Sequence, residues 1–150
     1  MSTESIGIQE DDIRELNQAA FNEGNLDVID EGYTEDMVMH NVPLGVDYEG
    51  REAFKEWVKS FREAYPDFHV EIEDVVIGDE KVVTQYVATG THEGPLPGLD
   101  IEPTNKTVTF QGVTVHRMVD GKATEAWWYY DQLGVLTQLG VIPEAPPELD

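Results

Sequence analysis

The sequence predicts an α+β fold in which a strongly curved, mostly antiparallel sheet wraps around one long helix, and three observations carry that expectation. Helical periodicity dominates the first part of the chain, up to residue 67. Residues 68–131 then alternate with period two in four runs separated by turn signals. The last helical segment before the strands is "GREAFKEWVKSFREAYPD", whose stripe of Phe54, Trp57, Val58, Phe61 and Tyr65 needs a concave apolar surface to cover it. Helices first and a meander after is the α+β order.

The elements follow in turn. Residues 9–22 read as a helix with Ile13, Leu16 and Ala20 on one face and acids in the first turn, ended by Gly24. "NLDVIDEGY" reads as a short helix capped by Asn25, and "DMVMHNVP" as a brief extended segment closed by Pro43. The long helix stops at Pro66. "FHVEIEDVVIG", "KVVTQYVATGTH", "KTVTFQGVTVHRMV" and "KATEAWWYYD" are strands, with hairpin turns at Asp79-Glu80 and Asp120-Gly121. "LGVLTQLG" is a short apolar helical turn. Residues 1–142 make one domain, and 143–150 a Pro-rich acidic tail.

Composition bounds the function. The 31 acidic residues against 9 basic ones leave a net charge of −22, which repels nucleic acid and anionic membranes. The 40% hydrophobic content falls in periodic segments, so the chain folds despite its charge. Acid dispersed along the whole chain is the pattern of a salt-adapted protein, since at 1 M salt the Debye length shrinks to about 3 Å, or else simply of an acidic mesophile protein. With no cysteine, thiolate chemistry and disulfides are excluded. The N-terminus lacks a secretory pattern, so the expected location is cytoplasmic. The four histidines show no metal-ligand spacing, and no phosphate-cradling loop or nucleophile elbow occurs. No metal or organic cofactor is expected.

Six segments fall in an order that resembles the SnoaL-like polyketide cyclase family of the NTF2-like superfamily: "HNVP" at 40, "GREAF" at 50, "FREAYPDF" at 61, "GTHEG" at 90, "PTNKTVTFQG" at 103 and "DGKATEAWWYYDQLGVLTQLG" at 120. The resemblance covers about residue 10 to 142. It implies an α+β cone with a deep, mainly apolar pocket. It also implies cofactor-independent ring closure of a polyketide ester by intramolecular aldol condensation. The family's acid–base aspartate follows the last strand's aromatic segment, which is Asp131 here. A pocket histidine of the ring-closing members has no sure counterpart in "TFQGVTVHR".

The residues leave the role of Asp131 open. In a strand, Glu125, Trp127, Tyr129 and Asp131 share one face, so Asp131 facing the cavity would stand between aromatic walls as a general base. Alternatively it caps the helix that begins at Gln132. His92 is a candidate enolate stabiliser or a loop residue, and Gln111 a candidate oxyanion donor or a partner of a buried carbonyl. His40 is a candidate rim donor or a turn residue. Trp57, Phe61, Tyr86, Trp127 and Tyr129 are candidate walls for a flat substrate, or plain core. His116, beside Arg117, reads as structural.

The first functional expectation is therefore an acid–base cyclase acting on a small apolar carbonyl compound. Ketosteroid-isomerase-like enolisation and epoxide hydrolysis are its neighbours. Epoxide opening wants a second acid, and Glu125 lies about 20 Å along the strand from Asp131. The other class is a non-catalytic binding or dimerisation module, a homodimer or higher homo-oligomer paired through outward Trp128 and Tyr130.

Overall fold

In the computed structural model, described over residues 8–96 and 99–142, the chain forms one six-stranded sheet and a set of helices on its concave side. The Pro-rich tail lies outside the described residues. α1 (Glu10–Asn17) opens on a reciprocal capping box between Gln9 and Asp12 and runs on through a π-turn over Gln18–Asn22. A 3₁₀ turn at Leu26–Val28 leads into the short α2 (Ile29–Gly32). Tyr33, expected to end that helix, instead begins β1 (Tyr33–Asn41).

The hairpin from β1 to β2 (Val46–Glu49) was not expected. Four mostly exposed residues offer no alternation for a sequence reading to find. The long helix α3 (Arg51–Ala64) is as expected and ends just before Pro66. β3 (His69–Ile77), β4 (Lys81–Thr91), β5 (Thr107–Val119) and β6 (Lys122–Tyr130) form the meander, and α4 (Gln132–Leu139) closes it. The β5–β6 turn places Asp120 at φ 51° and Gly121 at φ 82°, the left-handed pair that matches the twist of adjoining strands.

The sheet order is β2-β1-β6-β5-β4-β3. β1 and β6 pair in parallel, and every other pair is antiparallel. The apolar stripe of α3 lies in the concave face. Trp57 packs 4.1 Å from Trp128 between ring centroids, and Phe61 stands edge-on to Phe68 at 4.6 Å. Such aromatic pairs contribute about 0.5–1.5 kcal/mol each beyond the area they bury.

The facing of β6 corrects one expectation. Ala126, Trp128 and Tyr130 point into the cone, and Trp128 is only 6% exposed. Trp127 and Tyr129 lie on the outer face, Tyr129 at 48% exposed. The antiparallel register decides this: Trp128 and Tyr130 sit opposite Thr114 and Gly112, which belong to the inner set of β5. Among the described residues no helix is long and apolar enough to cross a membrane.

Candidate active site

Between the sheet and the helices lies a cavity of about 1000 Å³, counted with the space at its open mouth. It is lined by Ile8, Asp12 and Ile13 around the start of α1 and by aromatic and aliphatic side chains of α3 and β3–β6. A smaller recess of about 390 Å³ adjoins it beneath α4, walled by Leu44, Leu96 and Val135. The two share Trp57, Phe61, Phe110 and Tyr130 as a partition.

Of the expected wall residues, Trp57, Phe61 and Tyr86 line the main cavity. Trp127 and Tyr129 do not, because β6 turns them outward. Asp131 is exposed and lines neither space. Its carboxylate accepts the backbone N–H of Gly134 at 2.8 Å, so it is the N-cap of α4. It occupies the outward place in the alternation that brings Tyr130 inside.

The other expected polar residues also stand elsewhere. Gln111 is exposed on the outer face of β5, because the inward places go to Phe110 and Gly112. His92 is fully buried away from the cavity, where its Nδ1 accepts the Thr104 backbone N–H at 3.1 Å and its ring packs beside Tyr65. It ties down the segment that joins β4 to β5. His40 is on the outer face. Its Nε2 meets Glu125 at 2.6 Å, its Nδ1 meets Asp47 at 2.7 Å, and its ring stacks on Trp127 at 5.4 Å. The bonds to Glu125 and Asp47 raise its pKa above 6.5.

The acid–base group inside the cavity is one that sequence reading set aside. His116 lies on β5 and lines the cavity with Thr114 and Met118. Its Nδ1 donates to the carbonyl of Val82, its register partner on β4, at 3.2 Å. A carbonyl only accepts, so this bond fixes the Nδ1–H tautomer and leaves Nε2 as a free lone pair. Burial pushes the imidazole pKa down to about 4, so the ring is neutral at neutral pH. The missed signal was the alternation Phe110, Gly112, Thr114, His116, Met118, with apolar residues at both ends of the run.

Three tyrosines join it. Tyr33 stands 6.3 Å from His116 between ring centroids. Burial raises its phenol and that of Tyr86, and pushes Tyr130 up to about 12, so all three are protonated. Tyr130 donates its proton to Asn41 Oδ1 at 3.1 Å. Among the described residues, Asp12 is the lining carboxylate, and it is exposed. No cluster of three metal-ligating side chains occurs among the described residues.

Residues 11–139 match the SnoaL-like polyketide cyclase family, and the chain belongs to it. A protein from Jannaschia sp. CCS1 assigned as a SnoaL-like polyketide cyclase is 26% identical, with 89% of this chain and 95% of that one covered at a TM-score of 0.75. AclR from Streptomyces galilaeus, assigned as a hydroxylase, is also 26% identical, with 91% and 83% covered and a TM-score of 0.75. A Catenulispora acidiphila protein of ketosteroid isomerase-like fold, 19% identical with 93% and 100% covered, superposes at 0.74 and shares the fold. No curated protein matches the chain significantly in sequence. The architecture is thus the NTF2-like cone, and the relatives span more than one assigned activity.

Proposed function

We propose that the protein is a cofactor-independent cyclase that closes a ring in an apolar carbonyl compound by proton-transfer chemistry inside the cone. The observation that carries this reading is His116: a neutral imidazole with a fixed tautomer and a free Nε2 lone pair in an otherwise aromatic cavity. Nε2 takes a proton from a carbon flanked by carbonyls. The resulting enolate oxygen receives a hydrogen bond from the protonated Tyr33. The enolate carbon bonds to a second carbonyl carbon of the same molecule, and the proton returns from the imidazolium to the new alkoxide. Atoms balance without an external reductant or oxidant.

Family membership supports the cyclase type, and an apolar, roomy cavity supports a flat ring-containing substrate. Epoxide hydrolysis is less well supported, since no pair of carboxylates lines the described cavity. The test is solvent deuterium exchange into the acidic carbon of an aryl β-keto ester. The wild type accelerates exchange, and His116→Gln lowers the enzymatic rate by roughly 100-fold or more. Equal rates in the two proteins, or no acceleration by the wild type, contradict the reading.

One observation favours a second, compatible role. Trp127 and Tyr129, with Val113 and Val115 opposite them, form an apolar strip on the outer face, which suits pairing of two copies. Sedimentation of the wild type beside Tyr129→Lys reads that directly: a dimer that becomes a monomer supports it, and a monomeric wild type opposes it. Dispersed acid and the lack of cysteine support a salt-rich cytoplasmic setting.

A further inference from the structure

The cavity carries a second polar position, remote from His116. Gly112 is flanked in register by Tyr86 on β4 and Tyr130 on β6. All three residues sit on the inner face, and the Tyr86 ring passes over Gly112, where a Cβ would collide with its Oη and lie 2.5 Å from its Cζ. The two phenols therefore converge on one patch of cavity wall, and both line the main chamber.

Their hydrogen-bonding roles differ. Asn41 Oδ1 accepts the backbone N–H of Leu44 at 3.2 Å. That N–H can only donate, so the amide cannot be flipped. Tyr130 must then donate to Oδ1, and its oxygen is left to accept. The Tyr86 oxygen has the Thr114 hydroxyl beside it as a side-chain partner; with that hydroxyl donating to it, Tyr86 keeps its own proton to donate into the cavity. An acceptor beside a donor fits one group best, a ligand hydroxyl, which donates to Tyr130 and accepts from Tyr86. A ketone or ether oxygen can use only one of the two. Gly112 and His116 are four residues apart on one strand, which spans about 13 Å.

We infer that Tyr86 and Tyr130 form a hydroxyl-binding subsite, and that the preferred ligand is an elongated flat ring system with a phenolic or enolic O–H about 13 Å from the carbon that meets His116. The last part rests on the catalytic reading above; the subsite itself does not. It deepens that reading by naming which end of the substrate is recognised, and by what.

The experiment is a titration followed by quenching of Trp57 and Trp128 fluorescence, with 2-hydroxyanthraquinone and 2-methoxyanthraquinone as probes. The wild type binds the hydroxy compound about tenfold more tightly. Tyr130→Phe and Tyr86→Phe each reduce that ratio toward one, while Asp131→Ser, outside the cavity, leaves it unchanged. A general loss of packing would weaken both probes alike, so the ratio separates recognition from stability. Equal binding of the two probes by wild type, binding of neither, or an undiminished ratio in both Tyr→Phe variants overturns the inference. A clear preference in a protein that exchanges no deuterium leaves the subsite standing and removes only the catalytic reading.

Discussion

His116 is tied through Nδ1 to the carbonyl of Val82, its register partner on the neighbouring strand, at 3.2 Å. One hydrogen bond across a β-ladder thus decides which imidazole nitrogen keeps a proton and which is left with a free lone pair. The sheet positions the base, and the aromatic lining keeps it neutral.

Asp131 acts as a helix cap. Asp131→Ala lowers stability by about 1 kcal/mol, whereas Asp131→Ser, which keeps an acceptor for the Gly134 N–H, lowers it by less. Both variants retain deuterium exchange at close to the wild-type rate. Urea denaturation and the exchange assay together check this, and a thousandfold loss of exchange in a well-folded Asp131→Ser protein contradicts it.

The outer-face cluster gives stability with its own pH signature. His40 has a raised pKa, from its bonds to Glu125 and then Asp47, while Glu125 is lowered by His40 and Arg117. A raised histidine contributes fully below its ordinary 6.5 and loses that contribution as pH rises through the raised value. The lowered Glu125 contributes above 4.5 and loses it as pH falls through the folded value. The Tm difference between wild type and His40→Gln is therefore largest near pH 5–6 and narrows on the alkaline side. A difference that widens with rising pH has the wrong sign for this cluster.

Gly112 admits no side chain without movement. In Gly112→Ala the new Cβ meets the Tyr86 phenol and lies 2.9 Å from the Tyr129 carbonyl oxygen. The expected cost is about 1–3 kcal/mol, with loss of the preference for a hydroxylated probe because Tyr86 is displaced. Thermal melts and the fluorescence titration read the two effects separately.

A chain of net charge −22 repels itself in dilute buffer. Raising KCl from 0.1 to 1 M shortens the Debye length from about 10 to about 3 Å, so Tm rises over that range. A salt-independent Tm would mean that the acids are spaced too widely to strain the fold.

Some of this was legible beforehand because one physical rule dominated locally. The α3 stripe from Phe54 to Tyr65 is apolar at helical spacing and little else fits it. Asp120-Gly121 is a hairpin turn because both positions need positive φ. The facing of β6 was not legible, since Trp127 and Tyr129 are as aromatic as Trp128 and Tyr130 and alternation cannot choose between equal faces. The choice is made across the ladder, by the inward Thr114 and Gly112 of β5. That inversion moved the expected site: it put Asp131 outside with the cap and left the interior to His116. Trp57 and Phe61 were found as cavity walls because α3 has only one apolar face.

The measurement to make first needs no substrate: a pH titration of the His116 ring by nitrogen-15 NMR, assigned against His116→Gln. A buried base held by the Val82 carbonyl remains neutral, with its proton on Nδ1, from neutral pH down to about 4. Stability falls over the same interval, because the unfolded chain takes up a proton near 6.5 that the folded ring refuses. An imidazole that stays cationic above neutral pH, or carries its neutral-form proton on Nε2, has no free lone pair to offer, and the cavity then has no base of the kind the cyclase reading requires.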